Sequence, residues 1–210
     1  MRAIFFDLDG TLFDTRADLA ATVNHTREDL ALARLPEETV ISFVGRGANY
    51  LLEHAIPERA DALVREIFFR HYAEHCCERL VPYPGVLETL GELARRGFVL
   101  GVNTNKPGFA ARAILGKFGL DALFGAGIVA GGDGFPLKPD RASIEACAAR
   151  LGHVLSPDDW MVGDSWTDVA CAREAGIHSA FCLFGFGVLG ETEPTARLSY
   201  FADLLNLVSK

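Results

Sequence analysis

From residue 82 onward helical and extended patterns alternate along the chain, and this alternation restricts the fold more than any other feature. Pro82-Tyr83-Pro84-Gly85 introduces a helix over 86–96 (VLETLGELARR), with Gly97 on its C-terminal side. A strand over 98–104, a helix over 108–118, a short strand near 127–130 and a helix over 140–151 follow. A strand over 160–164, a helix over 167–175 and a strand over 179–184 complete the series. Such βαβ repetition specifies an α/β fold, a Rossmann-like, mostly parallel sheet covered by helices. The apolar run at residues 4–6 ends in the same manner as the later strands and belongs to the same sheet. Between it and residue 82 the pattern is wholly helical for about 65 residues, with segments over 17–34, 37–43, 47–55 and 58–78. The expected organisation is therefore a core made of residues 1–15 and 81–210 with a helical insertion at 16–80.

Composition narrows what such a core can do. Half of the 210 residues are hydrophobic, enough for a full core, and the formal net charge of −8 comes without a long basic run, which excludes a nucleic-acid footprint. The opening MRAIFFDLDG is too briefly apolar and too soon charged for a signal peptide, and no stretch approaches the length of a membrane span. A soluble cytoplasmic protein, monomer or homodimer, is expected. Cys76, Cys77, Cys147, Cys171 and Cys182 are odd in number and lack metal-type spacing, so they read as reduced packing residues. The six histidines read as ordinary: His71 and His75 share a helix face at i, i+4, but no third ligand accompanies them. Trp160 and Trp166 read as packing or rim residues.

In open parallel sheets, ligands sit beyond the carboxyl ends of the strands. Three polar clusters fall there: Asp7-Leu8-Asp9, Thr104-Asn105 and Gly163-Asp164, while Lys138 stands on the loop before a helix leading to the third. Ionised carboxylates at a buried strand end repel and are costly unless something positive compensates. Asp7, Asp9, Asp164 and Asp168 offer hard oxygen donors suited to Mg²⁺, while Thr104 and Lys138 are natural partners for phosphoryl oxygens. Alternation along an extended segment turns Asp7 and Asp9 one way and Leu8 the other. Two acids on one side can divide nucleophilic attack on phosphorus from proton transfer to the leaving group. Gly10 permits a sharp exit and Thr11 is expected to fix the loop by hydrogen bonding. Asp168 has an ordinary alternative, interaction with the first turn of its helix.

DLDGT at 7–11, an apolar strand ending in Thr104, Lys138 before a helix and GDSWTD at 163–168 together, and in this order, resemble the haloacid dehalogenase superfamily of phosphohydrolases. The resemblance implies an aspartyl-phosphate mechanism with Asp7 as nucleophile and Asp9 as general acid, then base. It implies phosphoryl binding by Thr104 and Lys138, and Mg²⁺ on Asp7, the Asp9 carbonyl and Asp164. Asp168 would support the lysine or a metal-bound water, and Asn105 would border the substrate. The insertion resembles the superfamily's helical cap, the seat of specificity. VGRGANYLL (44–52), GVNTNKP (101–107) and LFGFG (183–187) resemble phosphoglycolate phosphatases. Gly45 and Gly47 would let the backbone approach a small ligand, and Arg46 would pair with a carboxylate; the plain alternative for Arg46 is a solvated cap residue. The expected activity is Mg²⁺-dependent hydrolysis of a small phosphorylated metabolite, 2-phosphoglycolate foremost. Other phosphates, pyrophosphate and phosphomutase chemistry are alternatives within the fold, and a non-catalytic phospho-ligand-binding regulator is the alternative outside it. Dehalogenation does not need the proton donor that Asp9 supplies.

Overall fold

The computed structural model describes residues 2–57 and 61–208. In chain order the elements begin with β1 (Ala3–Phe6), β2 (Phe13–Asp14), α1 (Arg16–Asp29), α2 (Glu37–Ile41), α3 (Ala48–Ala55), α4 (Ala62–His75) and β3 (Val81–Pro82). Then come α5 (Val86–Arg95), β4 (Val99–Pro107), α6 (Gly108–Lys117), α7 (Asp121–Phe124), β5 (Ile128–Gly131), α8 (Ala142–Arg150), β6 (Trp160–Gly163), α9 (Trp166–Ala175), β7 (His178–Cys182), β8 (Ala196–Leu198) and α10 (Leu204–Leu207).

β1 shows how the sequence builds the layers. Its four residues are all fully buried because successive side chains enter opposite faces of a sheet covered on both sides. Ile4 and Phe6 join Leu90, Ile114, Phe124 and Phe201 in one apolar layer, whereas Ala3 and Phe5 join Ile144, Cys147, Met161 and Cys171 in the other. The sheet has the order β5-β4-β1-β6-β7-β8 with every pairing parallel, as the βαβ pattern requires. The chain order reverses direction on either side of β1, so the carboxyl ends of β1, β4 and β6 share one crevice. β8, a three-residue edge strand too short to leave a periodic signal, was not expected from the sequence.

The four helices α1–α4 leave and re-enter the core through a two-stranded antiparallel ribbon, in which Phe13 pairs with Pro82 and Asp14 with Val81. They enclose an apolar cluster of their own around Leu19, Val23, Val40, Leu52, Val64, Phe68 and Tyr72. The buried Asp18 carboxylate secures the return, accepting from the Arg79 amide at 2.9 Å and the Leu80 amide at 3.0 Å. α1 stops at Asp29 rather than running to residue 34. Ala31 takes a left-handed φ of 57°, the Leu32 amide closes back on the Arg27 carbonyl at 2.8 Å, and Asn24 clasps Leu35 through both its amide and its carbonyl. The helix expected over 58–78 is observed from Ala62 to His75; residues 58–60 lie outside the described residues.

Packing of α1 against α4 overturns one sequence reading: His25 of α1 meets His71 and His75 of α4, supplying the third histidine that sequence spacing did not reveal. The five cysteines are free, four of them buried and only Cys77 partly exposed. Burial pushes the Cys147 and Cys171 thiols up to about 12, and burial with the Cys77 contact does the same for Cys76. Ellman's reagent at pH 8 is therefore expected to modify one thiol promptly in the native protein and the other four only after denaturation. Prompt modification of two or more would contradict this packing.

Candidate active site

At the end of β1 the Asp7 amide still donates to the Val162 carbonyl at 2.9 Å, after which the chain turns sharply. The Leu12 and Phe13 amides close on the Leu8 carbonyl at 3.0 and 3.1 Å, while the Leu8 side chain is buried in the core. Asp7 and Asp9 face the other way and line a common cleft. Gly10 has φ +74°, and a Cβ there would lie 1.8 Å from Asp164 Oδ2, so only glycine fits. Thr11 departs from expectation: its buried hydroxyl has no hydrogen-bond partner, and the turn is held by backbone bonds instead.

The two carboxylates occupy different surroundings. Asp9 Oδ1 accepts from the Thr15 hydroxyl at 2.6 Å and from Lys106 Nζ at 2.7 Å, which leaves Oδ2 free among the described residues. Asp7 Oδ1 meets Lys138 Nζ at 3.0 Å and has no other partner among the described residues. Lys138 is 2.6 Å from Asp168 Oδ1, and the other Asp168 oxygen accepts from the Ser165 amide at 2.9 Å as part of the capping box that starts α9. Asp168 thus serves the helix end and the lysine at once. Gly163 makes room for it, because a Cβ there would lie 2.1 Å from Asp168 Cγ. Asp164 Oδ2 accepts from the Phe186 and Gly187 amides at 2.9 and 2.7 Å.

Electrostatically this cluster is unfinished. Burial, then Asp7 and Asp168, lifts Asp164 well above the ordinary carboxylate range. Burial raises Asp168 to about 6 against the pull of Lys138, with Asp7 adding to the rise. Burial also disfavours the Lys138 charge, but Asp168 and Asp7 outweigh it and hold the ammonium above the usual lysine range. Oxygens of Asp7, Asp164 and Asp168 lie within 4.8 Å of one another, and one lysine cannot neutralise three carboxylates. Each like-charge contact at about 4 Å costs on the order of 4 kcal/mol at an effective dielectric of 20. With Lys106 matched to Asp9, two negative charges are left over, the deficit that a divalent cation fills. The donors are hard oxygens, Asp7 Oδ1 meets only Lys138 and Asp164 accepts only through Oδ2 among the described residues, so the set fits Mg²⁺. Both Asp168 oxygens and Asp9 Oδ1 are otherwise engaged.

The cleft has an empty volume of about 580 Å³, mouth included, and is closed on one side by Leu19, Val44, Leu51, Phe68 and Tyr72 from the helical insertion. Gly45, Gly47, Thr104, Asn105 and Lys106 also line it. Thr104 is buried, and its hydroxyl accepts from the Lys106 amide at 3.3 Å. Asn105 is a clasp: its amide nitrogen donates to the Gly45 carbonyl at 2.9 Å and the Lys138 carbonyl at 3.0 Å, and its oxygen accepts from the Lys138 amide at 2.8 Å. It ties the insertion to the Lys138 loop while lining the cleft. Arg46 is exposed and does not line the cleft; its guanidinium sits 4.7 Å from the Tyr50 ring and 5.3 Å from the Trp166 ring, bridging insertion and core.

Sequence reasoning missed Lys106, Tyr72 and the Phe186-Gly187 amides. Lys106 lies within β4, which runs to Pro107 rather than ending at residue 104. Its side chain is 1% exposed and lies 5.1 Å from the Tyr72 ring. Burial opposes the Lys106 charge, but Asp9 outweighs it and holds the ammonium above the usual range. The Tyr72 hydroxyl is buried, with the Lys106 ammonium as the charged group beside it among the described residues.

The family described as haloacid dehalogenase-like hydrolase matches residues 4–182. The chain is 34% identical to the phosphoglycolate phosphatase of Mannheimia succiniciproducens, covering 99% of this chain and 98% of that protein. It is 36% identical to the phosphoglycolate phosphatase of Agrobacterium fabrum, covering 95% and 88%. A crystal structure described as a predicted phosphoglycolate phosphatase from Haemophilus somnus superposes with a TM-score of 0.89 at 31% identity, covering 99% of this chain and 97% of that one.

Removing one member of a buried ion pair leaves its partner uncompensated. Asp168→Asn is expected to lower unfolding stability in urea by about 3 kcal/mol, the low end of the range because Asp7 remains beside Lys138. A loss under about 0.5 kcal/mol would show that Asp168 does not hold the lysine's charge.

Proposed function

The chain belongs to the haloacid dehalogenase-like hydrolases, and we propose that within this family it is a cytoplasmic, Mg²⁺-dependent phosphatase acting on a small phosphomonoester, 2-phosphoglycolate. The observation that carries the reading is the unequal setting of Asp7 and Asp9. Asp7 presents Oδ1 with Lys138 as its one partner among the described residues, as an attacking group beside a phosphoryl-binding cation requires. Asp9 is held through one oxygen by Thr15 and Lys106 while the other is free to exchange a proton.

In the proposed reaction an Asp7 oxygen bonds to phosphorus as the bond to the leaving oxygen breaks, and Asp9 gives that oxygen its proton. Water then attacks the phosphorus of the aspartyl phosphate, Asp9 takes the water's proton, and phosphate and free Asp7 are restored. Thr104 and Lys138 hold the phosphoryl oxygens, and Asp168 and Ser165 keep Lys138 in place. Asp7, Asp164 and the Asp9 carbonyl would hold Mg²⁺, which supplies positive charge to offset the carboxylates and the incoming phosphate. The helical insertion acts as a cap that excludes water and reads the rest of the substrate.

Two relatives carrying the phosphoglycolate phosphatase name support the substrate, as does the cleft itself. Its apolar cap wall leaves little polar surface beyond the phosphate end, and there the Tyr72 hydroxyl is buried beside the Lys106 ammonium. A short anionic substituent suits this pair better than a long neutral sugar does. Carboxylate recognition is assigned to Tyr72 and Lys106, and Arg46 is a latch between cap and core.

Asp7→Asn is expected to cut phosphate release from 2-phosphoglycolate by roughly 10³-fold or more with the circular dichroism spectrum unchanged. Substantial remaining turnover would sink the nucleophile assignment. Tyr72→Phe is expected to raise KM for 2-phosphoglycolate about tenfold and to leave KM for a small neutral phosphate ester nearly unchanged. Arg46→Ala is expected to affect both substrates alike, and a selective effect on 2-phosphoglycolate would return the carboxylate role to Arg46.

A further inference from the structure

We propose that His25, His71 and His75 form a second metal site on the cap, a three-imidazole centre for a borderline transition ion such as Zn²⁺. One ring nitrogen from each lies within 4.8 Å of the others, and the three rings pack with centroids 5.4 to 6.2 Å apart. A zinc–nitrogen distance of about 2.0–2.1 Å sets tetrahedral nitrogens roughly 3.3 Å apart, within reach of small side-chain rotations from this arrangement.

Two of the three rings already hold a carboxylate on one nitrogen, as metal-binding histidines do. His71 Nε2 lies 2.9 Å from Asp29 Oδ2, and His75 Nδ1 lies 2.7 Å from Glu78 Oε1. A carboxylate on one ring nitrogen fixes the tautomer that leaves the other with its lone pair, the arrangement by which metal-binding histidines are oriented. His71 Nδ1 is that other nitrogen, and it is buried without a hydrogen-bond partner. An orphaned buried acceptor in a ring packed against two further imidazoles is costly alone and is satisfied by coordination. Arg70 also reaches Asp29, at 2.6 Å, and so holds the supporting carboxylate. Glu74 Oε2, 3.7 Å from His75 Nε2, stands beside the fourth position, open to a carboxylate or water.

Donor type separates this centre from the one at Asp7 and Asp164: imidazoles favour Zn²⁺, Co²⁺, Ni²⁺ or Cu²⁺, whereas the carboxylate cluster suits Mg²⁺. A metal here ties α1 to α4.

The test titrates untagged full-length protein with Co²⁺ in the presence of millimolar Mg²⁺, reading visible d–d absorption and thermal unfolding. One equivalent is expected to bind with a four- or five-coordinate spectrum, displaceable by Zn²⁺, and to raise Tm by about 5 °C at a hundredfold excess over Kd. His25→Gln, His71→Gln and His75→Gln are each expected to weaken binding at least about tenfold, while Asp7→Asn leaves it intact. The metal-free Tm of each variant separates loss of the site from loss of the fold, and a variant that unfolds early is replaced by the Asn substitution at the same position. Binding that survives all three histidine substitutions, that disappears in Asp7→Asn, or that needs millimolar Co²⁺ overturns the proposal.

Discussion

Lys138 bridges Asp168 at 2.6 Å and Asp7 at 3.0 Å, and the site's remaining geometry follows from that buried contact. An ammonium without countercharge would not stay ionised in this interior, and Asp7 and Asp168 without the ammonium would repel each other. The pairing needs the end of β1, the loop before α8 and the first turn of α9 in fixed positions, which the parallel order around β1 provides. Gly163 is part of the same requirement, since any side chain there would displace Asp168. Partial compensation has a chemical consequence. The pairing holds the acids together but leaves the cluster negative, so a bound cation would complete it electrostatically and would offset the charge of an anionic substrate.

A second pairing, Lys106 with Asp9, lies within the core where the chain leaves it for the helical insertion. Thr15, at the foot of α1, donates to the oxygen of Asp9 that Lys106 also contacts, so Asp9, the acid proposed to handle the proton, is positioned by the segment where the chain leaves the core. Asn105 fastens the Gly45 carbonyl to the Lys138 loop, and Arg46 lies between Tyr50 of the cap and Trp166 of the core. Cap position and charge alignment are therefore one problem: a cap swung away from the core loses the Asn105 clasp, and with it a restraint on the backbone that carries Lys138.

What was readable in the sequence was what depends on near neighbours. Strand and helix alternation, the turn after Asp7-Leu8-Asp9 and the order of the polar clusters all arise from residues a few positions apart, where the periods of strand and helix act directly. Contacts between distant segments left weaker marks. Lys106 carried a usable signal, a lysine two residues beyond Thr104 and hence on the same side of an extended chain, but that required β4 to continue past residue 104. Arg46 was given a carboxylate because its neighbours are glycines, yet the direction of a long side chain is set by which rings lie nearby, and Trp166 is 120 residues further on. Thr11 failed for the opposite reason: the local backbone satisfied the turn without its hydroxyl. The i, i+4 pair His71 and His75 was visible, whereas His25 lies a whole helix pairing away.

The two centres bear on each other through the helices they share. α1 carries His25 and, six residues earlier, Leu19 of the cleft wall; α4 carries His71 and His75 among Phe68 and Tyr72 of the same wall. Packing alone leaves two helices free to slide by fractions of an ångström, because apolar contacts are non-directional. Coordination is directional, and an ion held by nitrogens from both helices would fix their offset. Tyr72 follows His71 in α4 and its ring lies 5.1 Å from the Lys106 ammonium, so that offset also bears on how near a cap hydroxyl comes to the group holding Asp9. Metal chemistry on the cap surface and proton chemistry in the core are thus linked by a single turn of α4, without either set of donors being shared.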